Sequence, residues 1–267
     1  MIRDITIGQY YKADSVIHRL DPRVKLMGTL IFIISLFMGM NIWIYAVVTV
    51  ALAVVIKMSR IPLKFMVRGL KSIVILIIIS AVFNLFLTPG DVLIQIWKLT
   101  ITYQGLKMAI FMVVRLIYLI VGTSLMTLTT TPNNLTDGLE KGLGFLKVIK
   151  VPVHEIAMMM SIALRFIPIL IEETDKIMKA QMARGADFEN GNLIKRAKAM
   201  VPILVPLFVS AFRRANELAM AMEARCYHGS EGRTKMKPLK YEKRDRIAYI
   251  SMVLYLGVII IVKIIAA

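Results

Sequence analysis

"LMGTLIFIISLFMGMNIWIYAVVTVALAVVI", Leu26 to Ile56, carries no charged residue from end to end. As one helix its roughly 31 residues would extend about 46 Å, well beyond a hydrocarbon core of about 30 Å. Its middle, Met38 to Trp43, contains two turn formers, Gly39 and Asn41, and Trp43, a residue suited to the membrane interface. The stretch is either one overlong span or two short ones joined by a turn. That choice sets the sidedness of everything after it.

The flanking charges discriminate. Arg3, Lys12, Arg19, Arg23 and Lys25 precede the stretch, and Lys57, Arg60, Lys64, Arg68 and Lys71 follow it. A single span would place these groups on opposite sides, against the tendency of Lys and Arg to remain cytoplasmic. Two spans keep both inside and put "TPGDVLIQIWKLTITYQG", with Asp91 and the single Lys98, outside. Ser72 to Leu87, Leu106 to Thr131 (interrupted by Lys107 and Arg115) and Ile247 to Val262 each read as one further span. The expected fold is an all-α polytopic membrane protein with about five transmembrane helices. Residues 1–131 form a membrane domain of about four spans, 132–246 a cytoplasmic helical coupling domain, and 247–267 a C-terminal transmembrane helix. Helices of about fifteen residues are short, so tilt or snorkelling must make up the difference.

Composition agrees. Of 267 residues 58% are hydrophobic and 19% charged, whereas soluble domains average about 45–50% apolar and about a quarter charged. The net charge of +17 resides in segments flanking apolar runs, which points to membrane topology and lipid rather than nucleic acid. The N-terminal "MIRDITIGQYYKADS" has acids and no early apolar core, so no cleaved signal is expected there. The single cysteine, Cys226, forbids an intrachain disulfide, and with His228 and the distant His154 it offers too few ligands for a structural metal. No Gly-x-x-x-x-Gly-Lys-Ser/Thr phosphate loop is present, so ATP hydrolysis, where it drives the process, belongs to another chain.

The region 132–246 differs in kind. Met158, Ile162, Phe166 and Ile169 fall on one helical stripe, and Arg165, Glu172, Asp175 and Lys176 lie off it. Glu172 with Lys176 and Asp175 with Lys179 are acid-before-base pairs four apart, an order that supports a solvated helix. Pro168 is expected to end or kink the first helix, and Pro202 and Pro206 to sit in or near the first turns of a second one reaching Arg225.

Both helices end alike. "KAQMARGADFENG" (Lys179 to Gly191) places Arg184 between Ala183 and Gly185, and "AMEARCYHGSEG" (Ala221 to Gly232) places Arg225 between Ala224 and Cys226. One such ending is an ordinary helix stop, with a cation at the negative end of the dipole and Gly in the left-handed cap. Recurrence on one domain suits docking instead. Small neighbours let another surface approach, and a guanidinium is a rigid fork for a carboxylate.

With these motifs in order, the chain resembles the transmembrane T component of energy-coupling-factor (ECF) ABC-type vitamin transporters. The resemblance is carried by "LRFIPILIEETDKIMKAQMARGAD", "AMEARCYHGSEGRTK", the upstream "LEKGLGFLKVIKVPVHEIAMMMSIAL" and the N-terminal "YYKADSVIHRLDPRVKL". It implies a non-catalytic scaffold in the bacterial plasma membrane, with the N-terminus and coupling domain cytoplasmic. It also implies two long crossed coupling helices docking into two ABC ATPase subunits of the EcfA type, which hold the ATP and Mg, and a substrate-binding S component for vitamin uptake resting on the same protein. Ala183, Arg184, Gly185, Ala224, Arg225 and Cys226 are then the ATPase-coupling residues. Cys226 occupies the position where the family has Gly. It preserves close approach but suits a left-handed cap less, so Gly229 is expected to shape the second helix end.

Arg115, inside a span, is a candidate intramembrane polar site, with snorkelling or pairing to a group such as Asn84 as the alternative. The chain has 19 Met, many on the coupling helices, where they serve as core or as an adaptable surface for several partners. The rival reading is a stand-alone secondary transporter or a membrane enzyme, to which paired intramembrane charges or inverted repeats would point.

Overall fold

The computed structural model describes residues 10–71, 73–96, 99–186, 188, 192–229, 236 and 238–265. Nine helices account for most of them: α1 (Pro22–Phe37), α2 (Ile42–Ser59), α3 (Leu63–Lys71), α4 (Val74–Leu87), α5 (Tyr103–Thr129), α6 (Pro132–Gly142), α7 (Val153–Ala183), α8 (Leu193–Glu223) and α9 (Lys243–Ile265). The architecture is that of an all-α polytopic membrane protein. Among the described residues the one sheet is a hairpin of β1 (Val92–Ile96) and β2 (Leu99–Thr102), where a plain loop was expected. The alternating, β-branched "VLIQI" and "LTIT" explain the pairing.

The chain falls into two compact units. One comprises the described residues within Leu139–Pro238, the other those within Gly8–Gly138 and Leu239–Ala267. In the second unit the uncharged stretch breaks where the turn formers stand. α1 stops at Phe37, and the Asn41 side chain accepts the Trp43 N–H at 3.1 Å to cap α2. At the opposite end Asp21 caps α1 and Pro22 opens it, a pairing suited to a first turn because Pro has no N–H to satisfy.

That opposite end is a knot of buried charge. Asp245 accepts the backbone N–H of Asp21 at 2.9 Å and that of Glu242 at 2.8 Å, joining the start of α1 to the start of α9. Lys25, only 8% exposed, donates to the carbonyls of Thr129 at 2.8 Å and His18 at 3.1 Å. The Tyr11 N–H donates to Leu128 O at 2.9 Å. The final carbonyls of α5, which no helical N–H can reach, thus find their donors in the N-terminal segment. Residues 21, 129 and 243 consequently lie at one end of the bundle, as the two-span reading of Leu26 to Ile56 requires.

α5 is the centre of this unit, packing on α1, α2, α3 and α4. Gly122 allows it: a Cβ there would stand 2.4 Å from the Phe32 ring of α1. Two apolar clusters follow, one of Leu52, Met66, Val121, Leu125 and Leu128, the other of Leu36, Ile44, Val48 and Ile259.

By length and composition the helices able to cross a membrane are α2, α5, α7 and α9, with α3 and α4, bent by 63°, as a fifth if they act together as one broken span. The count matches the expected five, but the membership differs. α1 has 16 residues, about 24 Å, and falls short, whereas α7 qualifies because it runs unbroken for 31 residues. Pro168 therefore does not end α7, and Pro202 and Pro206 lie well inside α8 rather than in its first turns. A proline removes one hydrogen bond from a helix but does not forbid its continuation when packing compensates.

Replacing Lys25 with Met removes the buried donor to two carbonyls and is expected to destabilise the membrane unit by about 2 kcal/mol or more. Unfolding of the purified chain in detergent measures this, and an unchanged midpoint would contradict the role given to Lys25.

Candidate functional site

Both motif arginines occupy the same position in the same cap. At the end of α7 the Gly185 N–H donates to Met182 O at 2.9 Å and the Ala186 N–H to Gln181 O at 3.0 Å, with Gly185 at φ +86°. At the end of α8 the Cys226 N–H donates to Glu223 O at 2.9 Å and the Tyr227 N–H to Met222 O at 3.0 Å, with Cys226 at φ +55°. Each is a paired cap with its left-handed residue directly after the arginine. Cys226 therefore takes the left-handed position itself, correcting the expectation that Gly229 shapes this end. The two cap bonds offset the cost of φ > 0 at a cysteine, and Gly229, three residues farther on, is left-handed as well, at φ +96°.

Ala183, Arg184, Gly185, Ala224, Arg225 and Cys226 are all exposed. Among the described residues neither the Arg184 nor the Arg225 side chain has a hydrogen bond or ion pair, so both guanidinium forks are open to a partner.

α7 and α8 pack antiparallel. Tyr227 Oη donates to Met158 Sδ at 3.2 Å near one end, Ser210 Oγ and Arg214 Nη2 donate to Glu173 in the middle, and Gln181 Nε2 donates to Pro202 O at 3.4 Å toward the other. The last bond follows from the sequence. Pro206 has no N–H for the carbonyl four residues before it, and that carbonyl belongs to Pro202. Gln181 supplies the missing donor. Because the helices are antiparallel, their C-terminal arginines stand at opposite ends of the pair, about 40 Å apart along the axis.

Of the expected stripe, Ile162 and Phe166 line the seam with α8 together with Leu170, Met158 meets Tyr227 just beyond α8, and Ile169 is not in the lining of that seam. The other side of the seam carries small residues, Ala211, Ala215 and Ala219, which leave an apolar gap of about 260 Å³ along it. On another side of α8, Val201, Leu204, Val205, Phe208, Val209 and Phe212 form an exposed apolar stripe at helical spacing.

Arg115 is 9% exposed, donates through Nε to Tyr45 Oη at 3.0 Å and lies over the Phe37 ring at 5.1 Å. The alternative of pairing with a polar group is met by Tyr45 rather than by Asn84, whose Nδ2 donates to Ser80 O in its own helix. With Ser35 to Tyr255 and Thr49 to Tyr118, at 2.7 and 2.6 Å, Arg115 to Tyr45 forms a set of polar contacts joining α1, α2, α5 and α9. Cys226 is free and exposed, and His154 pairs with Glu140.

Sequence reading missed Gln181, Glu173, Lys25 and Asp245. Two signals were available: prolines four apart announce an orphan carbonyl, and Asp21-Pro22 announces a helix start.

A model of the CbiQ family, described as a cobalt transport protein, matches residues 13–236. The chain is 58% identical over 250 residues to the energy-coupling factor transporter transmembrane protein EcfT of Clostridium kluyveri, covering 93% of each chain. It is 56% identical over 250 residues to the protein of the same name from Thermosediminibacter oceani, covering 94% of each, and 47% identical over 254 residues to that of Bacillus subtilis, covering 95% of this chain and 96% of the relative.

Cys226→Gly relieves the left-handed position and is expected to raise stability by about 1 kcal/mol, whereas Cys226→Val, branched at the same φ, lowers it. Thermal unfolding of the three proteins distinguishes them. Equal midpoints would show that the cap carries no strain.

Proposed function

The chain belongs to the CbiQ family, among the transmembrane T components of energy-coupling factor transporters, and from that premise we propose that α7 and α8 couple two ABC ATPase subunits to a substrate-binding S component during vitamin uptake. The observation that carries this reading is the matched pair of exposed arginines, Arg184 and Arg225, held in identical caps at opposite ends of one antiparallel helix pair. Two equivalent tips about 40 Å apart suit two equivalent partners. Each guanidinium would enter an acidic groove on one ATPase, which binds the ATP and Mg, while this chain carries out no catalysis.

The orientation follows from charge. Lys12, Arg19, Arg23, Lys25, Lys57, Arg60 and Arg244 collect at the end of the bundle where residues 21, 129 and 243 meet, and this end is taken as cytoplasmic in the bacterial plasma membrane. α1, though short, then crosses with α2 as a hairpin. α7 lies on the cytoplasmic side despite its length, because it packs along α8. Crossing would carry Arg213, Arg214 and Glu217 of that partner into the hydrocarbon.

The exposed stripe from Val201 to Phe212 is an apolar face for the S component, and the partly filled seam with α7 gives the pair room to shear when the tips are moved. The hydrogen-bonded caps at the tips transmit the push, since a helix is stiff along its axis and frays at an uncapped end.

Arg184→Ala or Arg225→Ala is expected to weaken ATPase association by about 2 kcal/mol or more, roughly thirtyfold. The double variant should insert normally and lose uptake. Co-purification from membranes and substrate uptake measure both effects, and a double variant that assembles and transports like the parent would sink the assignment.

A further inference from the structure

A concavity of about 460 Å³ opens in the membrane unit where three segments remote in sequence converge: the N-terminal segment before α1, the end of α2 and the start of α9. It is walled by four cations, Arg19, Lys57, Arg60 and Arg244, against one carboxylate, Asp14. Arg19 is committed to Asp14, and its hydrogen bond holds that carboxyl below the usual carboxylate range, so Asp14 stays ionised. Arg244 pairs with Glu242. The side chains of Lys57 and Arg60 have no hydrogen bond or ion pair among the described residues, though the Arg60 charge also helps to keep Asp14 ionised. Four cations facing one carboxylate leave the cavity with an excess of positive charge that a further anion would balance.

The surroundings say what kind of anion. From the cavity an apolar stripe climbs α2 through Met58, Val54 and Val50, and another climbs α9 through Ile247 and Leu254, all exposed. Met58 is itself part of the cavity wall. A free phosphate or an acidic peptide would use the cations and leave these stripes bare. A molecule with a charged phosphate head and two acyl chains covers both.

We propose that this concavity is a binding site for an anionic phospholipid, its phosphate held by Lys57 and Arg60 and its chains lying along the exposed stripes of α2 and α9. Basic pockets at the ends of spanning helices hold such headgroups by charge, while the chains confine the molecule to the bilayer plane. Ser59, fully buried, stands between the lining residues Met58 and Arg60 in the chain. Its hydroxyl donates to Ile56 O at 2.7 Å and accepts the Ile61 N–H at 3.3 Å, which anchors Arg60 at φ +56° just beyond the helix. The site rests on α2 and α9 being in the membrane and is independent of the coupling role of Arg184 and Arg225.

The test uses the full chain, purified in mild detergent and offered mixed micelles of phosphatidylglycerol or of phosphatidylcholine, with bound lipid counted by native mass spectrometry. The parent should retain phosphatidylglycerol in preference to phosphatidylcholine. Lys57→Gln with Arg60→Gln should reduce that preference at least about tenfold, Lys57→Arg should keep it, and Lys12→Gln, an exposed cation outside the cavity, should leave it unchanged. Circular dichroism and ATPase co-purification of the double variant should match the parent, separating this site from the coupling reading. Equal retention by the parent and the double variant, or no preference in the parent, overturns the proposal. Inorganic phosphate at millimolar concentration displacing the lipid completely would assign the site to a small anion instead and likewise overturn it.

Discussion

The carboxylate of Asp245 and the ammonium of Lys25 hold the membrane unit together by answering backbone groups that no helix can satisfy by itself. Asp245 takes N–H groups at the start of α1 and just ahead of α9, and Lys25 takes the last carbonyl of α5. Buried polar backbone left unpaired costs of the order of 1–3 kcal/mol per group, more where no water reaches. Satisfying these groups with charged side chains fixes which helix ends are neighbours. The end of α5 and the start of α9 consequently lie together at one end of the bundle.

A similar economy of donors shapes the pair of long helices. Proline at 206 frees the carbonyl of Pro202, and Gln181 of α7 reaches it. Ser210 and Arg214 converge on Glu173. Polar contacts set the register of the two helices, while the apolar seam between them, lined by Ala on one side, remains incompletely filled. A pair keyed by a few directional bonds and joined by a loose apolar contact is stiff along its length and compliant in shear.

Much was legible in the residues. The turn in the uncharged stretch lies at Gly39 to Asn41 because Asn supplies a cap and Gly tolerates the tight approach, and both are visible in the letters. The inward placing of Ile162 and Phe166 was likewise readable, since helical periodicity is a one-dimensional property. Less was legible where the outcome depends on a compensating neighbour. Pro168, Pro202 and Pro206 look like helix breakers until α7 and α8 are laid side by side. Arg115 looks like a charge seeking Asn84 until Tyr45 and Phe37, from the α1 and α2 hairpin, are seen to reach it first.

The sequence by itself determined the all-α membrane class, the break in the long uncharged stretch, the amphipathic character of the long helices and the two arginine-bearing ends, because hydropathy, charge and local caps act between near neighbours in the chain. Tertiary structure decided what those ends are. Gly185 and Cys226 differ as residues, yet the same pair of cap hydrogen bonds draws both into the left-handed region, so Arg184 and Arg225 are presented alike. It also decided that the two tips stand at opposite ends. That follows from antiparallel packing fixed by Glu173, Gln181 and Tyr227, contacts whose partners lie from 21 to 69 residues away in the chain, beyond the range over which periodicity and capping rules act.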